Sequence, residues 1–190
     1  MSNSSNLVPL NHPLGDRINV RGGGGKTTLA RALAARHRLP FIELDALFWL
    51  PNWVEREPED FRNQTRDALG AATRGWIVDG NYNGLLQGLV LTQADTVVWL
   101  DLPWRLIFWR TLIRSIKRAF DKKTICGSNT ESWRVLFSRD SLWWLYIKNR
   151  KQLIRRGERF LPLVPAGIPV VQIRSARDLS KFWGIHGLTR

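Results

Sequence analysis

The run Val20-Arg21-Gly22-Gly23-Gly24-Gly25-Lys26-Thr27-Thr28 constrains this chain more than any other stretch. Four successive glycines cannot sit in a helix or strand interior without a large loss of chain entropy. They must form a turn. A short apolar strand is expected before them, at Ile18 to Val20, and a helix after them, from Thr28 to about Arg38. A glycine turn, a lysine and a threonine between strand and helix are the ingredients of a phosphate-binding loop. Glycine reaches φ > 0, so successive backbone N–H groups can converge on one anion. The helix N-terminus adds unsatisfied N–H groups and the positive end of its dipole. The residues expected around a nucleotide are therefore Gly22, Gly23, Gly24, Gly25, Lys26, Thr27 and Thr28. Lys26 would reach the β- and γ-phosphates, and the Thr27 hydroxyl would ligate Mg²⁺. The full pattern G-x-x-x-x-G-K-[ST] is not met, because Val20 stands six positions before Lys26.

The rest of the chain alternates strand and helix signals. Further strands are expected at Phe41 to Leu44, Trp76 to Asp79, Thr96 to Leu100 and Pro169 to Ile173. Helices are expected from Glu57 to about Ala72, from Pro103 to about Phe120 and from Ala176 to Trp183, with a short one over Asn83 to Leu91 and a further one over 133–156. Such alternation predicts an α/β fold with a parallel sheet, its strands apolar on both faces. In such sheets ligands bind beyond the carboxyl ends of the strands. Asp45, Asp79-Gly80 and Asp101 all fall there, beside the glycine loop.

At 190 residues the chain reads as a single domain over 1–190, with a flexible N-terminal segment at 1–14 and a lid or insert at about 119–140. Met1 to Pro13 is polar and lacks the apolar core of a signal peptide. Cys126 is the single cysteine, so no internal disulfide forms, and a cytoplasmic location is the expectation. No apolar run approaches the ~18 residues of a membrane span. The net charge of +13 is unevenly spread: residues 105–159 carry +11, whereas residues 1–104 carry −1. A field of that sign attracts polyanions, whether nucleoside triphosphate, nucleic acid or acidic lipid.

Asp45 could hold Mg²⁺ through water, accept a proton from a substrate hydroxyl, or cap the helix that follows it. Asp79 could hold the Mg²⁺ hydration shell or simply form an Asp-Gly turn. Asn81 and Tyr82 could touch an acceptor, or belong to the same turn. Arg110, Arg114 and Arg118 recur every four residues and share one helix face. They could neutralise a transferring phosphate, or form a solvated face opposite a buried stripe of Leu106, Trp109, Ile113, Ile116 and Phe120. The ten tryptophans include Trp133 and Trp143-Trp144 among basic residues. They could stack nucleic-acid bases or pack helices together. The three histidines have no metal-ligand spacing.

Four segments resemble the adenylate-kinase-like P-loop kinases, and more closely the small bacterial FlaR-related proteins known as DNA topology modulation proteins. They are Ile18-Asn19-Val20 with Gly22 to Thr28, Glu43 to Trp49, Trp76 to Tyr82, and Asp95 to Pro103. The resemblance implies a P-loop NTPase three-layer sandwich, with a five-stranded parallel sheet of order 2-3-1-4-5 and a helical lid. It implies ATP and Mg²⁺ as cofactors, with Lys26 on phosphate and Thr27 and Asp79 at the metal. Arg110 and Arg114 match arginines at the lid entrance, and Ser175 to Arg177 match a loop bordering the base. Here the loop is two residues shorter than in that group, because Val20-Arg21 runs straight into Gly22. The acceptor region does not follow the AMP-binding pattern of adenylate kinases.

The expected function is thus ATP-dependent phosphoryl transfer to a small molecule or nucleotide, with Lys26, Asp45, Arg110, Arg114 and Arg118 as its catalytic residues. Residues contacting the cofactor would be the loop, Arg110 and Ser175. The other reading is a nucleic-acid-binding or regulatory protein that uses the basic segment 105–159 and keeps a degenerate nucleotide site.

Overall fold

The computed structural model describes residues 6–121, 124–125, 129–130, 144, 147–149, 151 and 156–189. Its centre is a parallel sheet of six strands, not five. The strands are β1 (Leu7–Val8), β2 (Arg17–Gly22), β3 (Phe41–Glu43), β6 (Trp76–Asp79), β7 (Thr96–Leu100) and β10 (Val170–Ile173), in spatial order β3-β6-β2-β7-β10-β1. The five expected strands keep the expected order. The sixth comes from the segment read as a flexible leader: Leu7 and Val8 pair with Val170 and Val171. Two residues in a polar context carry no periodicity, and only the exposed edge of β10 makes them a strand. Two small antiparallel ladders lie outside this sheet, β4 (Trp49–Leu50) with β5 (Val54–Glu55), and β8 (Thr124–Ile125) with β9 (Asn129–Thr130). The second lies in the stretch expected as a lid or insert; residues 122–123, 126–128 and 131–140 of that stretch are outside the described residues.

The described helices are α1 (Lys26–His37), α2 (Leu44–Phe48), α3 (Pro58–Ala71), α4 (Asn83–Leu86), α5 (Trp104–Asp121), α6 (Arg156–Phe160) and α7 (Ala176–Ile185). Alternation along each strand sends side chains to two cores. On one face Ile18, Val20, Ile77, Val98, Leu100 and Ile173 pack with Leu29 and Leu33 of α1, Ile107 of α5 and Phe182 of α7. On the other, Ile42, Trp76 and Val78 pack with Phe61 and Leu69 of α3 and with Leu86 of α4. Each fully buried Leu, Ile or Phe contributes on the order of 1.5–3 kcal/mol.

The buried stripe of α5 is not the one expected. Ile107, Thr111 and Ser115 face inward, four residues apart, whereas Trp109, Ile113 and Ile116 are exposed. The missing side chain of Gly24 lets α5 approach closely: a Cβ there would lie 3.4 Å from the Ile107 Cα. Bulk at 109 or 113 would hold the helix away from the glycine loop. Helical periodicity located a stripe, but backbone proximity chose a different one.

Candidate functional site

The glycine loop sits at the carboxyl end of β2, between its neighbours β6 and β7. β2 runs two residues further than the apolar sequence suggested. Gly22 pairs with Leu100, and a Cβ there would lie 2.1 Å from the Leu100 carbonyl oxygen. Its φ of 106° is also in the left-handed region. Only glycine closes this turn. The Asn81 side chain fixes the same point from β6. Its Oδ1 accepts from Gly22 N at 2.9 Å, and its Nδ2 donates to Gly22 O at 3.0 Å. Asn81 thus acts like one residue of a neighbouring strand. Replacing it with Ala removes two hydrogen bonds at the loop entrance. We expect Asn81→Ala to lower stability by ~1–3 kcal/mol, measured by denaturant unfolding.

Beyond Gly22 the chain turns through Gly24 (φ 75°) and Gly25 (φ 133°) into α1. No side chain caps this helix, and its first turn holds no acid. Among the described residues, the N–H groups of Gly23 to Thr28 have no hydrogen-bond partner. Lys26 is the first helical residue, which puts a cation at the positive end of the dipole. The local sequence is therefore poor at starting a helix. It is well suited to receiving an anion there.

Asp79 answers the lysine. The β2–β6 register places Asp79 beside Val20 on the α1 face of the sheet. Its carboxylate is fully buried and meets Lys26 Nζ at 2.7 Å. The contact is an ion pair rather than a directed hydrogen bond, and neither Asp79 oxygen accepts one. A buried carboxylate so poorly supplied with donors keeps lone pairs that could accept from water or meet a cation.

Arg110 Nη1 donates to the Gly24 carbonyl. Its guanidinium lies 3.5 Å from where a Gly25 Cβ would stand, so this arginine reaches the loop itself. Arg114 is exposed on the next turn of α5, and the Arg118 side chain lies outside the described residues. Asp45, half-buried on α2, accepts a hydrogen bond from the Tyr82 hydroxyl at 2.7 Å. The Tyr82 ring is held by Phe48 and Phe61, at centroid distances of 4.9 and 5.2 Å. Asp45 is therefore oriented from β6's turn rather than used as a simple helix cap. Ser175 follows β10, and its Oγ caps α7 by accepting from Asp178 N at 3.0 Å. Asp101 accepts from Gln172 Nε2 at 2.8 Å.

Lys26, Thr27, Asp79, Arg110 and the glycine amides thus gather at one end of the central strands, with Asp45 and Tyr82 linked at the end of β3 and β6. Two polar residues of β2 also belong to this end and drew no attention as sequence, Asn19 and Arg21. Their signal was present: they alternate with Ile18 and Val20 in a central strand where apolar residues are the rule.

The fold and these groups define an α/β protein with a glycine loop, a lysine and a strand-end aspartate at one end of a parallel sheet. No family model matches the chain, and no curated protein is similar to it. Among solved structures it is similar to the crystal structure of a "putative kinase" from Chloroflexus aurantiacus J-10-fl, at 16% identity and a TM-score of 0.47, over 97% of this chain and 98% of that one. Likeness at that level describes shared shape only. Among the described residues, no helix is long and apolar enough to cross a membrane.

Proposed function

We propose that this chain is an ATP-dependent phosphotransferase acting on a small molecule or nucleotide. The observation that supports the reading most directly is the buried Lys26–Asp79 pair beneath an uncapped helix start. The unpartnered amides from Gly23 to Thr28 fit a polyphosphate, and the donor-poor Asp79 carboxylate fits the shell of a cation. The amides and Lys26 would hold the phosphates, with Lys26 exchanging Asp79 for a phosphate oxygen. Thr27 and Asp79 would hold Mg²⁺. ATP with its Mg²⁺ supplies the transferable phosphoryl group and neutralises part of its charge.

The protein's own part is positional. Asp45, oriented by Tyr82, would take the proton of an acceptor hydroxyl. Arg110, Arg114 and Arg118 would counter the charge spread over the transferring group, Arg110 from its place on the loop. Ser175, which follows β10, would border the base. Of the basic stretch 105–159, 25 of 55 residues lie outside the described ones, and the rest carry no second reading.

The test is ADP release from Mg²⁺-ATP over a panel of small hydroxyl acceptors. It compares wild type with Lys26→Met/Asp79→Asn, in which the buried pair is neutral. Turnover is expected to fall by at least ~10²-fold in the variant. Equal turnover in both proteins would contradict the proposal.

A further inference from the structure

β2 sends Ile18 and Val20 toward α1 but Asn19 and Arg21 toward the opposite face of the sheet. Arg21 is nine-tenths buried, and Asn19 is 1% exposed. The Arg21 guanidinium stacks on the Phe160 ring at 4.5 Å. Among the described residues no acid pairs with it, and burial alone lowers its pKa to about 10. Asn19 Nδ2 donates to the Val78 carbonyl at 3.3 Å, yet its Oδ1, also buried, accepts nothing. A buried cation without an anion and a buried acceptor without a donor are both costly. Two such groups stand two residues apart on one strand face. They line the same small pocket, together with Leu44, Gly80, Tyr82 and Asn83. Tyr82 is the residue that orients Asp45, so the pocket adjoins the proposed proton acceptor.

We propose that the mouth of this pocket, whose enclosed space of about 10 Å³ holds no more than one water, is the acceptor subsite, and that a small molecule seated there places its anionic group, phosphate or carboxylate, on Arg21 while an O–H or N–H of the same molecule donates to Asn19 Oδ1. The proposal rests on the phosphotransferase reading and names its acceptor class. A guanidinium offers parallel N–H donors that match two oxygens of one anionic group. Phe160 holds its plane without neutralising it. The ligand would bring the charge and the donor that the described residues do not supply. This anion site is distinct from the glycine loop, since Lys26 and Asp79 lie on the α1 face of the sheet.

The test is calorimetric titration of inorganic phosphate, and separately of acetate, into four proteins. These are wild type, Arg21→Met, Asn19→Asp and Lys26→Met/Asp79→Asn. The glycine loop can itself take phosphate, so the Arg21 site is the one that persists in the neutral pair; wild type is expected to bind at that site as the neutral pair does, and Arg21→Met to lose it by at least about tenfold. Arg21→Met should melt no lower than wild type, because it removes a buried charge that no described acid pairs. Asn19→Asp supplies a carboxylate beside Arg21 and is expected to abolish anion binding at this site while the fold persists; it decides the matter if Arg21→Met fails to fold. Binding of phosphate alone assigns a phosphate-bearing acceptor, and binding of acetate assigns a carboxylate. Anion binding kept in Arg21→Met but lost in the neutral pair would overturn the subsite, as would no binding of either anion to wild type. Mg²⁺-ATP is titrated into the same proteins. Its binding to wild type without an Arg21-dependent anion sinks the subsite alone, and the reverse pattern sinks the phosphotransferase reading alone.

Discussion

Lys26→Ala should unfold well below wild type, and adding Asp79→Asn should restore most of the loss. The alanine leaves a fully buried carboxylate with neither counter-ion nor hydrogen-bond donor. Removing one partner of a buried pair costs ~3–5 kcal/mol. For a chain of this size that is a fall of roughly 10 °C in melting temperature. The expectation for an isolated loop lysine, an inactive but fully stable variant, does not hold here. Thermal melts of the three proteins check both the loss and its recovery. A Lys26→Ala melt at the wild-type temperature would contradict the buried pair.

Gly22→Ala should be comparably damaging for an unrelated reason. The added Cβ would lie 2.1 Å from a backbone oxygen of the neighbouring central strand and would demand an L-residue at φ 106°. Neither the Leu100 carbonyl nor the β2–β7 ladder can yield cheaply, since both belong to the middle of the sheet. A loss above ~4 kcal/mol is expected, in the range reserved for clashes and forced backbone. Gly70→Ala is the control. A Cβ at Gly70 meets nothing within 4 Å, and the helical position favours alanine by up to ~1 kcal/mol. Denaturant unfolding of both variants gives the comparison, and similar midpoints would contradict the close approach of β2 to β7.

How much of this was legible in the sequence depended on range. The strands β2, β3, β6, β7 and β10 announced themselves because parallel strands buried on both faces are nearly continuous apolar runs. The glycine loop was legible because four glycines and a lysine between strand and helix have few other uses. Asp45, Asp79 and Asp101 do follow or end their strands, as the alternation of strands and helices implied. Register was not legible. Only the pairing of Val20 with Asp79 shows that Asp79 holds Lys26, and only the pairing of Gly22 with Leu100 explains why β2 extends into the glycines. Burial on α5 follows Ile107, Thr111 and Ser115 rather than the largest apolar side chains, and Gly24 admits the Ile107 backbone closely. Leu7–Val8 gave no signal because an edge strand of two residues is defined by its neighbour. Asn19 and Arg21 were visible as polar interruptions of a core strand, but their meaning needed the pocket and Phe160, far away in sequence.

The central claim is that the shortened glycine loop receives a nucleotide. Calorimetric titration of Mg²⁺-ATP into wild type and into Lys26→Met/Asp79→Asn tests it most directly, because the variant removes the lysine without leaving a buried charge. The account predicts binding to wild type and a loss of at least about tenfold in the variant. Absence of binding to wild type, or equal binding to both proteins, would contradict it.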